Sequence, residues 1–105
     1  MIMNAHWDPK AKDSLREIAR YVSVKFGTKA RQDFLQKVKD TEMLLRQSPN
    51  VGKIDSLFEN RPETYRSVII NGLNKMVYRI DGNTIYIVAF WDTRKEPKGQ
   101  ASQVK

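Results

Sequence analysis

Near Tyr65 the spacing of apolar residues changes from that of a helix to that of a strand, and this change decides the architecture. Downstream, Tyr65-Arg66-Ser67-Val68-Ile69-Ile70 reads as a strand, and Asn71-Gly72 is a strong short hairpin signal. The chain returns from Lys75 to Ile80, turns at Asp81-Gly82-Asn83, and ends its apolar pattern in a strand from Thr84 to Trp91. Three consecutive strands with tight turns form an antiparallel meander.

Upstream, the pattern is helical. Asp8 is a good N-cap and Pro9 suits the first helical position. Ala11, Leu15, Ile18, Ala19, Val22 and Phe26 fall on one face, and Gly27 is a natural terminator. Thr28 is placed to cap a second helix with Ala30, Phe34, Leu35, Val38, Met43, Leu44 and Leu45 on its apolar face. Ser48-Pro49 stops it, because a residue before proline avoids the α region. Asn4–Trp7 closes a short first strand begun at Met1. The segment Asn50–Thr64 is irregular, with Leu57-Phe58 as its apolar anchor.

Two amphipathic helices must bury their faces, and the sheet offers one. The expected fold class is therefore α+β: an N-terminal strand, two antiparallel helices, then a three-stranded antiparallel meander with the helices packed on one sheet face. The 105 residues make one domain the prior, spanning 1–105, with 98–105 read as a polar tail that is flexible or forms one helical turn. Alternation puts Arg66, Val68 and Ile70 on one face of the first meander strand. Lys75, Val77 and Arg79 share a face of the second. Ile85, Ile87, Ala89 and Trp91 share a face of the third. Either sheet face is apolar enough to meet the helices.

The chain has no cysteine and one histidine, His6, which excludes disulfides, Cys-based zinc sites and multi-His metal centres. No cofactor is expected. No apolar run approaches the roughly 20 residues that a membrane helix needs, and no signal peptide is read, so the expected location is cytoplasmic, with no membrane partner. Lys and Arg number 19 against 12 Asp and Glu, a formal charge of +7. That favours a polyanionic partner, although charge also serves solubility.

The basic residues of interest lie on the meander. Arg94-Lys95 follows the most apolar strand, where a rigid element ends and a loop begins. The topology puts Lys75 at the Arg94 end of the sheet and Arg79 toward the Arg66 end. Gly-rich phosphate loops and GxSxG elbows are absent. RNA cleavage on such a chain would run without metal, with Arg stabilising the charged transition state and a Glu, Lys or Tyr moving protons.

The order of these elements resembles the RelE/ParE superfamily of bacterial toxins, the toxin halves of type II toxin–antitoxin modules. The resemblance is carried by Trp7-Asp8-Pro9-Lys10-Ala11, by Leu15, Ile18 and Tyr21, and by Pro49-Asn50-Val51-Gly52. Further on it is carried by Tyr65-Arg66, by Asn74 through Ile80, and by Asp92-Thr93-Arg94-Lys95-Glu96-Pro97. It implies an acidic antitoxin partner that folds across the toxin's basic and apolar surface. It also implies one of two targets. RelE-like members cleave mRNA in the ribosomal A site, whereas ParE-like members inhibit DNA gyrase. In the first case, taken here as the leading expectation, Arg66 and Arg94 are the catalytic candidates that hold the scissile phosphate. Lys75, Arg79 and Lys95 are then the substrate-binding candidates. The chain departs from the nuclease branch after Arg94, where it has neither Tyr nor His. The third expectation is a non-toxic nucleic-acid-binding module on the same fold.

Overall fold

The computed structural model of the chain describes residues 2–94. It contains β1 (Asn4–Trp7), α1 (Pro9–Phe26), α2 (Thr28–Gln47), β2 (Lys53–Ile54), a 3-10 turn at Ser56–Phe58, β3 (Arg66–Ile70), β4 (Asn74–Asp81) and β5 (Thr84–Asp92). The expected α+β class holds, with the helices on one sheet face. The sheet is wider than the three-stranded meander expected, with order β1-β5-β4-β3-β2. β1 adds in parallel to β5, and β2 adds in antiparallel to β3. β2 is two residues long, too short for any periodicity to reveal it. It lies inside Asn50–Thr64, which is thus more ordered than its composition suggested.

The helix boundaries follow local chemistry. The Asp8 side chain accepts a hydrogen bond from the Lys10 amide, and Pro9 opens α1. Gly27, at φ 98°, donates its N–H to the Ser23 carbonyl and is the single residue between the helices. With so short a link, Thr28 is already helical and makes no cap, contrary to expectation. β3 and β4 are joined at Asn71 and Gly72, both at positive φ, and β4 and β5 across Gly82. β1 is tied to the end of α2 twice: the Met3 amide donates to the Arg46 carbonyl, and Arg46 Nε donates back to the Met3 carbonyl at 2.7 Å.

The main core fills the space between helices and sheet. Ala11, Ala19, Phe34, Val38 and Leu45 meet Ile70, Met76, Tyr78, Ile85, Ile87 and Phe90 there. Trp7 packs against this core and donates its indole N–H to Glu42 at 2.6 Å. Three apolar residues assigned to helix faces are instead open to solvent: Phe26, Met43 and Leu44. Phe26 stands in the last turn of α1, and Met43 and Leu44 turn off the face of α2 on which Phe34, Val38 and Leu45 are buried.

A β-bulge corrects the face assignment of β5. Val77 pairs with Ala89 but Tyr78 pairs with Ile87, so Val88 is an extra residue on β5. Strict alternation placed Ile85, Ile87, Ala89 and Trp91 together. The bulge reverses the parity, so Ile85, Ile87 and Phe90 face the helices while Ala89 and Trp91 face the other way. There they join Phe58, Tyr65 and Val77 in a second, smaller cluster. The segment around the 3-10 turn thus folds over one half of the sheet's outer face.

Candidate functional site

Three groups of charged side chains stand on this frame. The first centres on Lys75. Its position opposite Trp91 and Ile69 places it on the outer sheet face. Lys75 Nζ lies 2.6 Å from Asp55 Oδ2, with the two side chains 15% and 5% exposed. The ammonium also sits 5.7 Å from the Trp91 ring centroid. Burial works to raise the Asp55 pKa, but hydrogen bonds from Lys75, the Leu57 amide and Ser67, with the Lys75 charge, hold it below the ordinary carboxylate value. The 3-10 segment is fastened to the sheet through this pair.

The second group is built on a buried tyrosine. Tyr78 faces the helices beside its cross-strand partner Arg66. Its hydroxyl donates to the Pro49 carbonyl at 2.6 Å and accepts from the Gly52 amide at 3.0 Å. Arg66 donates to the Gly52 carbonyl at 2.8 Å and the Asn50 carbonyl at 3.4 Å. Burial raises the Tyr78 pKa above its ordinary value, against the opposing effects of the Gly52 amide and the Arg66 charge, so the hydroxyl stays protonated. These bonds fix segment 49–52 and hold Arg66 at the rim of a polar cleft of about 510 Å³. Arg79, Asn50, Glu63, Thr64, Ile80 and Asp81 complete the lining. Arg79 emerges on the outer face, 4.5 Å from the Tyr86 ring centroid and 3.6 Å from Asp81.

The third group lies at the opposite end of the sheet. Asp92 accepts from Arg94 Nη2 at 2.6 Å, from Arg94 Nε with both carboxylate oxygens at 3.0 and 3.1 Å, and from the Arg94 amide. The hydrogen bond and charge of Asp92 raise the Arg94 pKa further above its ordinary value. Beside this pair runs an apolar cleft of about 420 Å³ lined by Ile18, Tyr21, Val22, Phe26 and Leu73. Tyr21, Val24 and Phe26 are 53%, 81% and 66% exposed, a concentration of apolar surface on one helix end.

The family model for the ParE toxin of type II toxin–antitoxin systems, parDE, matches residues 5–97. The chain belongs to this ParE toxin family. A solved structure described as the chromosomal ParDE TA system from P. aeruginosa has a similar fold, with a TM-score of 0.69 at 21% identity over 87% of this chain and 96% of that one. No curated protein matches the chain significantly.

In this ParE-type fold the four candidate site residues among the described ones do not converge. Arg66 and Arg79 share the polar cleft, and Arg94 borders the apolar one. The Arg66–Tyr78 row and the Asn74–Asp92 row are four residues apart along β4, about 13 Å at strand rise. Arg66 also belongs to the helix side of the sheet, whereas Lys75 and Arg79 belong to the outer side. Lys75 is committed to Asp55. Lys95 lies outside the described residues, as do Glu96 and the tail 98–105. Among the described residues no group of three or more His, Cys, Asp or Glu could hold a metal ion, and no helix is long and apolar enough to cross a membrane. Sequence reasoning missed Tyr78 and Asp55 as the anchors of segment 49–58. Tyr78 looked like any strand aromatic, and only its partners across the fold reveal what its hydroxyl does.

Proposed function

We propose that the chain arrests growth by seating itself on a protein target, DNA gyrase, rather than by cutting RNA. The observation that carries this reading is the exposed apolar end of α1, where Tyr21 and Phe26 line a cleft together with Asp92 and Arg94. An apolar patch rimmed by charge is the anatomy of a protein-docking surface. The alternative role, a ribosome-dependent mRNA endonuclease, has weaker support. It asks Arg66 and Arg94 to grip one phosphate, and they stand at opposite ends of the sheet. Charge stabilisation of a transition state needs donors aimed at one point. Family membership and the +7 charge support an acidic antitoxin as the neutralising partner.

The test is DNA supercoiling by purified gyrase in the presence of the chain. Inhibition is expected, and Phe26→Glu, at a solvent-facing position of that cleft, should relieve it without changing the fold. Unimpaired gyrase, together with ribosome-dependent mRNA cuts that vanish in Arg66→Ala, would reverse the assignment.

A further inference from the structure

The two edges of the sheet are finished differently, and one is left open. β2 forms one edge and is two residues long. The Asp55 N–H bonds the Tyr65 carbonyl, in phase with the Lys53–Ser67 pair, so Lys53 and Asp55 turn their backbone groups toward β3 and only Ile54 turns its own outward. β1 forms the other edge, with no Lys or Pro inside Asn4–Trp7 to blunt it. The Asn4 N–H bonds the Asn83 carbonyl and the Asp8 N–H bonds the Ile87 carbonyl, so the even-numbered residues face β5. Met3, Ala5 and Trp7 therefore present their N–H and C=O groups to the outside. Arg46 takes up both groups of Met3, one with its carbonyl and the other with its Nε. Pro9, where the odd phase would continue, begins α1 and has no N–H. Among the described residues, none bonds the outward backbone groups of Ala5 or Trp7.

We infer that this edge pairs with the same edge of a second copy of the chain, antiparallel about a two-fold axis through His6. The open groups are self-complementary in that register alone. Centred on Ala5, the pairing would set Trp7 against the occupied Met3; centred on Trp7, it would set Ala5 against Pro9. Centred on His6, Ala5 of each copy lies opposite Trp7 of the other, and each such pair exchanges both backbone bonds. The side chains fit the same register. On the helix side, small Ala5 stands opposite large Trp7. On the outer side, His6 meets its counterpart at a position without backbone bonds, where Cα atoms approach to about 4.5 Å. His6 is exposed and its ring meets Tyr86 edge-on at 5.7 Å, so the seam continues an aromatic row from β5 of one copy to β5 of the other. Asn4 is set against Asp8 of the second copy, next to the Met3 carbonyl that holds the Arg46 guanidinium, so opposite charges meet at both ends of the seam. The contact is isologous and joins two five-stranded sheets into one. It is only four residues long, and two chains of charge +7 repel, so association is weak, reversible and strengthened as salt screens the charge. No β1 residue lines the apolar cleft, so each copy keeps it open, and the pairing neither requires nor follows from the gyrase contact.

The experiment is sedimentation velocity of the full chain at high salt, from micromolar to millimolar concentration. A monomer–dimer equilibrium is expected. Ala5→Pro removes an outward N–H and no bond to β5, at the kind of edge position that accepts proline, and should leave the chain monomeric throughout. His6→Lys alone and His6→Glu alone set like charges opposite each other, and each should weaken the dimer up to about fivefold. Mixing these two variants sets Lys against Glu and should restore it, which marks His6 as the crossing point. Ile54→Lys, on the β2 edge, should leave the dimer unchanged. Circular dichroism checks that each variant is folded. If Ala5→Pro does not fold, the mixture decides. A wild type that is monomeric at every concentration, a dimer that persists in folded Ala5→Pro, a mixture that associates no better than either variant alone, or a dimer lost in folded Ile54→Lys would each overturn the inference.

Discussion

The contact between Gly52 and Tyr78 yields a prediction that separates packing from hydrogen bonding. A Cβ at position 52 would stand 2.6 Å from the Tyr78 hydroxyl oxygen, 2.8 Å from its Cε1 and 3.0 Å from the Ser67 carbonyl oxygen. Gly52 is not at positive φ, so glycine is required there for room rather than for conformational freedom. Tyr78 is fully buried and cannot swing aside, and the Ser67 carbonyl is backbone. Gly52→Ala is therefore an overpacking substitution and should cost about 1–3 kcal/mol. Tyr78→Phe removes the acceptor of the Gly52 N–H and the donor to Pro49. Leaving those groups unsatisfied should cost about 1–3 kcal/mol. Each single change damages the same contact, so the double variant should lose clearly less than the sum of the two. Urea unfolding followed by fluorescence of Trp7 and Trp91 measures all four corners of the cycle. For a domain of this size each kcal/mol also lowers Tm by roughly 4–8 °C. Strict additivity, within about 0.3–0.5 kcal/mol, would show that the two residues act independently and refute the proposed clamp.

Three further outcomes follow from the ion pairs. Lys75→Met should destabilise the fold by about 3–5 kcal/mol, because it strands the buried Asp55 carboxylate; adding Asp55→Leu should recover much of the loss in the same urea assay. The folded pKa of Asp55 is below its ordinary 3.8, so its ionised form adds stability above that value, and the contribution fades as pH falls through the folded pKa. Thermal melts from pH 6 to pH 2 should show this acid slope in the wild type and a shallower one in Asp55→Asn. Arg94→Ala should leave Tm unchanged, since the Arg94 side chain is 69% exposed and its bond to Asp92 is screened by water; a clear drop in Tm would give Arg94 a structural role.

What the sequence made legible were the features written in local chemistry. Asp8-Pro9, Gly27, Asn71-Gly72 and Gly82 announce their own turns, and the elements between them came out with nearly correct bounds. The bulge at Val88 did not announce itself. It is one added residue in an apolar run, yet it turns Ala89, Phe90 and Trp91 to the faces opposite those that alternation gives. β2 was hidden for a different reason: its two residues become a strand only because Ser67 and Arg66 lie beside them. The same limit applied to the candidate site. Spacing along the chain could say that Arg66 and Arg94 sit at opposite ends of the sheet. It could not say that Lys75 is neutralised by Asp55, nor that Arg66 grips segment 49–52, because those partners are distant in sequence.

The position of β5 has a consequence for how the protein is made. It is the last strand of the described fold, yet it lies second in the sheet, between β1 and β4, and it packs against α1. On the ribosome, β1 emerges first and has no neighbouring strand until residues 84–92 have left the exit tunnel. The helix pair must wait with its apolar faces uncovered, exposed to aggregation or to capture by whatever binds such surfaces. Closure of the sheet is a long-range event, slow relative to helix formation. A chain ending before Thr84 lacks Asp92 and Arg94 and cannot complete the apolar cleft, although every residue that lines the polar cleft has by then been made.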